Sequence, residues 1–402
     1  MKLFDPARHR PLAALDWDEA AVHAWIARVA DDAHSRFDTA RWWPSHPLDH
    51  EGNEGADPYT PLYHGAGGVI FALDELARRG HVPRTHDYAA HLDALIAQNR
   101  REVEAQPWGV ESYLIGQSGL LLLAYRLAPS AETAGRLAES IARNAAHPSN
   151  ELLWGVPGTM HAALAMHEWT GDARWADAYR AGVATLEQSL ELDPRAHCHL
   201  WTQHLYGREV CYLGAAHGFA GNAQAVLRGA YLLDAATAAA WRDRIALATL
   251  RTAARDGAHA NWPPAWPPDG RTRWMAQWCH GAPGIVTSLC DLDDPRLDEV
   301  LEAAGELIWD AGPLEKGGGL CHGTAGNGYA FLKLQARTGD PRWLDRARAC
   351  AMHAIAQCDA HERQYGRRRY SLWTGDVGTA LYGAACIDGM SRMPNVERST
   401  AD

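Results

Sequence analysis

Two short stretches of the chain each set a cysteine and a histidine side by side just before a glycine turn. They are Trp278-Cys279-His280-Gly281-Ala282-Pro283-Gly284 and Leu320-Cys321-His322-Gly323-Thr324-Ala325-Gly326-Asn327. Thiolate and imidazole together suit zinc. If the two stretches converge, two thiols and one or two imidazoles meet, and three protein ligands leave a fourth position on the ion open. Such a site draws charge from an incoming thiol so that it ionises near neutral pH, while the protein's own thiolates keep the bound sulfur nucleophilic. That is chemistry for adding sulfur to an electrophile. A third stretch, Gly214-Ala215-Ala216-His217-Gly218-Phe219-Ala220-Gly221-Asn222, carries the histidine without the cysteine. His217 is therefore suited to proton transfer, either to the carbanion or enolate formed on addition or from the thiol.

Other groups carry less. His64 precedes a similar glycine turn and reads as structural. His197-Cys198-His199 with His204 is spaced closely enough to catch a metal, but it lies in a polar connection. Cys290, Cys350, Cys358 and Cys386 fall in apolar helical stretches and read as core. Eight cysteines in 402 residues are too sparse for a disulfide scaffold.

What would position these side chains is an internal repeat. A Gly-x-x-Gly element recurs seven times: HGAGG at 64–68, IGQSG at 115–119, WGVPG at 154–158, HGFAG at 217–221, HGAPG at 280–284, HGTAG at 322–326 and TGDVG at 374–378. Each opens a segment that is apolar over most of its circumference, as in LLLLAYRLA after Gly119. Between them lie amphipathic segments beginning near Trp17, Asp87, Ser130, Asp172, Ala235, Asp294 and Asp340. In TGDARW at 170–175 and TGDPRW at 338–343, glycine stops one helix, aspartate caps the next, and Pro341 takes a first-turn position. Strand signals are scarce. The pattern predicts an all-α fold, an α/α toroid of seven inner and seven outer helices, with the glycine elements gathered at one end. The whole chain, 1–402, reads as one such unit, and 1–60 includes an outer helix and a polar Trp/Pro-rich loop.

The bulk numbers narrow the partners. A formal net charge of -11 and the absence of a Lys/Arg cluster long enough to track a phosphate backbone argue against nucleic acid. The first residues, MKLFDPARHRPLAALDW, hold no run of signal-peptide length, and no stretch approaches the roughly 20 apolar residues of a membrane span. A cytoplasmic location is the expectation.

WCHGAPG at 278–284, GLCHGTAGNGYAFL at 319–332 and GAAHGFAG at 214–221 resemble the lanthionine synthetase C-like family, and look closer to its eukaryotic-type branch than to the lantibiotic cyclases. The likeness takes in all seven glycine elements, roughly residues 60 to 390. The resemblance implies a double ring of seven plus seven helices, Cys279, Cys321 and His322 as zinc ligands, and His217 as the catalytic histidine. It implies Michael-type addition of a thiol to dehydroalanine or dehydrobutyrine residues of a peptide or protein, with glutathione as the thiol in the eukaryotic-type branch. Lys316 falls where glutathione-binding members place a lysine, able to pair with a carboxylate.

The chain also departs from the cyclases. Where they carry an aspartate four residues before the glycine of the second element, this chain has Ser112, with Glu111 beside it. Their tyrosine after the first zinc cysteine is His280 here, and their arginine four residues before it is Met275. These changes favour glutathione addition over peptide ring closure and put His280 in the tyrosine's place, either as a proton donor or only as a cap for its helix. Two other readings stand beside this one: a stand-alone lanthipeptide cyclase, and a non-catalytic sensor or adaptor that binds zinc and glutathione. A carbohydrate-active α/α barrel would draw on the 17 tryptophans and on Glu51, Glu54 and Asp57, but the convergent groups are cysteine and histidine rather than paired carboxylates.

Overall fold

Each glycine element forms the entry to a buried helix, because the chain there doubles back too tightly for a side chain. A Cβ added to the second glycine of each element would lie 1.7–2.2 Å from the carbonyl oxygen six residues earlier, as at Gly326 against Leu320. Only glycine permits that approach. In the computed structural model, which describes residues 2–49, 59–104 and 109–397, the helices that follow are α2 (Ala66–Arg78), α4 (Gln117–Leu127), α6 (Val156–Thr170), α8 (Phe219–Arg228), α10 (Ala282–Leu289), α12 (Thr324–Thr338) and α14 (Asp376–Asp388). They are buried nearly all round; every residue of α12 from Thr324 to Leu334 is buried.

Between them run α1 (Glu19–Ser35), α3 (Leu92–Glu104), α5 (Ala131–Asn144), α7 (Ala173–Gln188), α9 (Ala235–Thr252), α11 (Asp298–Ala311) and α13 (Pro341–Tyr365). These are one-faced. In α5 the buried residues are Ala134, Leu137, Ser140, Ile141 and Asn144, a spacing of three and four. The expected caps are present. Gly171 and Gly339 are left-handed at φ 67° and 71°, and Asp172 and Asp340 accept from the backbone N–H groups of Arg174 and Arg342.

The seven inner helices pack in sequence, α2 on α4, α6, α8, α10, α12 and α14, and α14 returns to α2. The ring is closed. Its glycine ends are also laced together by main-chain hydrogen bonds between equivalent residues, each two before the first glycine of its element. Tyr63 N donates to Leu114 O at 2.9 Å, Leu114 N to Leu153 O at 3.2 Å, Cys279 N to Cys321 O at 3.1 Å, Cys321 N to Trp373 O at 2.8 Å and Trp373 N to Tyr63 O at 3.0 Å. One face of the ring therefore carries all the glycine turns.

The scarcity of strand signals misled in one region. Short strands fill the connections before α8 and α10: β1 (Leu190–Asp193), β2 (Cys198–Trp201), β3 (Gln203–Leu205), β4 (Arg208–Tyr212), β5 (Ala254–Asp256), β6 (His259–Asn261) and β7 (Ala265–Trp266). At two to five residues they are too short to show a period-two pattern. β3, β4 and β7 form one antiparallel sheet, and β4 runs directly into the turn that bears His217. At the opposite end of the ring, residues 390–397 fold back over a cavity of about 90 Å³, with Met393 and Val396 buried. Among the described residues, no helix is long and apolar enough to cross a membrane.

Candidate metal centre

Cys279 and Cys321 occupy the same position in neighbouring glycine elements, so ring geometry brings them together. The hydrogen bond from Cys279 N to Cys321 O fixes their spacing. Their sulfurs and a ring nitrogen of His322 all lie within 4.8 Å of one another, and no other group of Cys, His, Asp and Glu among the described residues converges in this way. Ligand atoms around a small tetrahedral ion sit roughly 3.6–3.8 Å apart, given bonds of about 2.0–2.3 Å. Side-chain adjustments of about an ångström fit the three donors to one metal ion. The cysteines are buried, while His322 is partly exposed at the mouth.

The two thiols are unequal. The Cys279 thiol is pulled well below its ordinary range, first by its hydrogen bond with Cys321 and then by His322 and His280. Cys321 is pushed up by burial and by the neighbouring Cys279. The pair thus releases its first proton from Cys279, whose sulfur also accepts from Gln277 Nε2 at 2.8 Å. The Gln277 carbonyl oxygen in turn accepts from Arg8 Nη2 at 2.5 Å. The phenol of Tyr63 lies against Cys321, and burial raises its pKa, so it stays a neutral donor.

His217 stands on the next turn round the ring. Its Nδ1 is 3.0 Å from Glu151 Oε2. The Glu151 carboxylate is fully buried and also accepts from the backbone N–H groups of Leu153 at 2.9 Å and Trp154 at 2.6 Å. That network fixes which face of the imidazole is occupied and leaves Nε2 for the mouth. Trp154 stacks on His217 at 5.5 Å between ring centroids. His280 lies 6.2 Å from His217 and 5.8 Å from Tyr212, and burial depresses its pKa. Lys316 is exposed in the loop between α11 and α12, near enough for its charge to favour the Cys321 thiolate.

All six residues singled out from the sequence therefore gather at the glycine end of the ring. Three expectations need correction or limit. The carboxylate missing at Ser112 is supplied from the third element, where Glu151 sits four residues before Gly155; the Ser112 hydroxyl itself is buried and unbonded. His197, Cys198, His199 and His204 form no cluster, because Cys198 is buried in β2 while His204 turns to Glu209 at 3.4 Å. Glu51, Glu54 and Asp57 lie outside the described residues.

Sequence reasoning passed over Tyr63, Arg8, Gln277 and Glu151. Tyr63 was findable, since it holds the same register in its element as Cys279 and Cys321 do in theirs. Arg8 was not. It reaches the centre only because the main chain of Arg8 and Arg10 pairs with residues 313–315, beside Lys316.

The family model described as lanthionine synthetase C-like protein matches residues 57–398. The chain belongs to that family. Among curated lanthionine synthetase C-like relatives, glutathione S-transferase LANCL1 of Danio rerio is 37% identical over 120 residues, which cover 27% of this chain and 27% of that one. LanC-like protein GCL1 of Arabidopsis thaliana is 37% identical over 123 residues, 28% of this chain and 27% of that protein. The matched stretches thus span about a quarter of the length of these relatives. Nisin cyclase shares the fold, with a TM-score of 0.54 and 12% identity across 92% of this chain and 99% of its own. The chain lies nearer the eukaryotic-type members than the lantibiotic cyclase.

Proposed function

We propose that this protein adds the thiol of glutathione to dehydroalanine or dehydrobutyrine residues, forming a thioether, at a zinc ion held by Cys279, Cys321 and His322. The observation that carries this is the convergence of two sulfurs and one imidazole within 4.8 Å at the mouth of the ring. Two thiols and one imidazole are a zinc donor set, and three protein ligands leave a position for an outside thiol. When bound, zinc supplies a lowered pKa for that thiol and a sulfur that remains nucleophilic.

The remaining work falls to side chains. Sulfur bonds to the β-carbon of the unsaturated residue, and the double-bond electron pair moves toward the α-carbon and its carbonyl. His217, held by Glu151 at Nδ1, delivers a proton to the α-carbon from Nε2. The proton released by the incoming thiol passes to His217 Nε2, which carries it to the α-carbon, so the reaction is a net addition with no leaving group. His280, with its ring centroid 6.2 Å from that of His217, can hold the substrate carbonyl or share the proton. Lys316 and Arg8 supply cations at the rim for the two carboxylates of glutathione. The name of the Danio rerio relative supports glutathione as the thiol.

The test is a dehydroalanine peptide incubated with zinc-loaded protein, with and without glutathione, and read by mass. A product heavier by one glutathione is expected, and His217→Ala should abolish it while zinc binding persists. A peptide that instead loses its own free thiol with no mass change would mean ring closure. Full turnover by His217→Ala would remove the histidine's assigned role.

A further inference from the structure

The proposed reaction needs something to hold the unsaturated chain against His217, and one exposed residue stands out. β3 and β4 are joined by the two-residue loop Tyr206-Gly207, with φ of +52° and +69°. Two positive values are what a type I′ hairpin turn demands, and Asn-Gly is its natural sequence. Tyrosine at the first position is sterically penalised, since its Cβ crowds the backbone in this left-handed conformation. Trp42 is also held at positive φ, +61°, but its burial in the core offsets the strain. Tyr206 is nevertheless 56% exposed, at the mouth of the ring.

Its ring is aimed at the site. It meets Trp154 edge-on, with centroids 5.6 Å apart at 88°, and lies 6.3 Å from His217 at 78°. Trp154 and His217 are themselves parallel within 16°. The indole and imidazole planes thus form a stack, and the phenol stands across its edge. On the far strand of the same hairpin, Tyr212 lies 6.4 Å from His217 and 5.8 Å from His280. The two histidines are flanked by aromatic rings presented by one hairpin.

We propose that Tyr206 is a specificity-determining contact for the electrophile, its ring packing on the groups that flank the reacting dehydroamino acid. A dehydroamino acid is a planar, conjugated unit, and the amide groups flanking it are planar too. Aromatic faces and edges pack against such groups with good contact and little entropic loss. Tyr206 stands outward from His217, where residues next to the reacting one would pass. The strained turn is thus the cost of presenting a ring at that place.

This inference rests on the addition chemistry proposed above, and the test separates the two. Full-length, zinc-loaded protein is given glutathione with either N-acetyl-dehydroalanine methylamide or a longer peptide with a central dehydroalanine. Tyr206→Asn suits the left-handed turn and removes the ring; Tyr206→Phe keeps the ring. For Tyr206→Asn, the ratio of kcat/KM for the long substrate to that for the minimal one should fall roughly three- to tenfold, the loss expected for one aromatic contact. Its thermal midpoint should equal or exceed that of the parent protein, because strain is relieved. Tyr206→Phe should retain the ratio. An unchanged ratio in Tyr206→Asn, or a fall in its midpoint with equal losses on both substrates, would overturn the assignment and leave Tyr206 as packing for Trp154. If the parent protein modifies neither substrate, the addition reading fails. Tyr206 is then judged by fluorescence anisotropy with the labelled long peptide, where weaker binding by Tyr206→Asn upholds the contact and equal binding removes it.

Discussion

Glu151→Gln offers the sharpest probe of how the centre works. The Glu151 carboxylate accepts three hydrogen bonds in a fully buried place: two from the backbone N–H groups of Leu153 and Trp154 and one from His217 Nδ1. Alanine there would strand both backbone donors, at about 1–3 kcal/mol each, and would confuse folding with catalysis. Glutamine keeps the shape but only one acceptor oxygen, so its NH2 faces one backbone donor and costs about 1–3 kcal/mol of stability, against two stranded donors for alanine. It also removes the negative charge beside the imidazole, and a charge-assisted bond of this kind is worth about 1.5–3 kcal/mol. If that bond orients His217 and supports the charge it carries during proton transfer, kcat should fall roughly ten- to hundredfold. Zinc content should hold, because neither sulfur nor His322 touches Glu151. The assay is the rate of glutathione addition to a dehydroalanine peptide, followed by mass at saturating substrate, beside metal analysis of the same sample. A Glu151→Gln protein that keeps both its zinc and the parent kcat would refute the argument that this carboxylate positions the proton donor.

Other outcomes follow from the same structure. The parent protein should purify with one equivalent of zinc and Cys279→Ala with only a small fraction of that, and a strong chelator should lower the parent's thermal midpoint but not the variant's; equal zinc in both would show that Cys279 is no ligand. His161 is buried beside the rear cavity, and burial together with Arg228 lowers its pKa to about 3 from 6.5. Below about pH 6.5 the unfolded chain binds a proton at this residue that the folded one refuses, so stability present at neutral pH is lost as pH falls toward 3, by about 1.4 kcal/mol per pH unit. His161→Leu should flatten that slope in urea denaturation between pH 6 and 4, and an unchanged slope would mean that His161 protonates in the folded state.

How much of this was legible beforehand depends on the kind of signal. The double ring was readable because every inner helix begins with the same close approach of glycine to a carbonyl, and close approach leaves a mark in sequence at fixed spacing. The cysteines and His217 were readable for the same reason, since they precede those glycines. Glu151 was misplaced: the carboxylate was sought in the second element, and only packing shows that the third element faces His217. Arg8 acts through a contact spanning most of the chain, and nothing local announces it, whereas Gln277 lies two residues from the cysteine it bonds. The β3–β4 hairpin was missed because strands of three and five residues draw their stability from neighbours rather than from pattern.

The lacing of the glycine turns has a consequence for biogenesis. Cys321 N and Leu320 N both rest on the carbonyl of Trp373, and Trp373 N rests on that of Tyr63, so the pocket's walls include the first and last repeats. A growing polypeptide emerging from a ribosome has both thiols in hand well before the seventh repeat arrives to seat them. During that interval the cysteines face the cell's oxidants and free metals without their scaffold. Assembly of the centre is therefore a late event, coupled to completion of the circle.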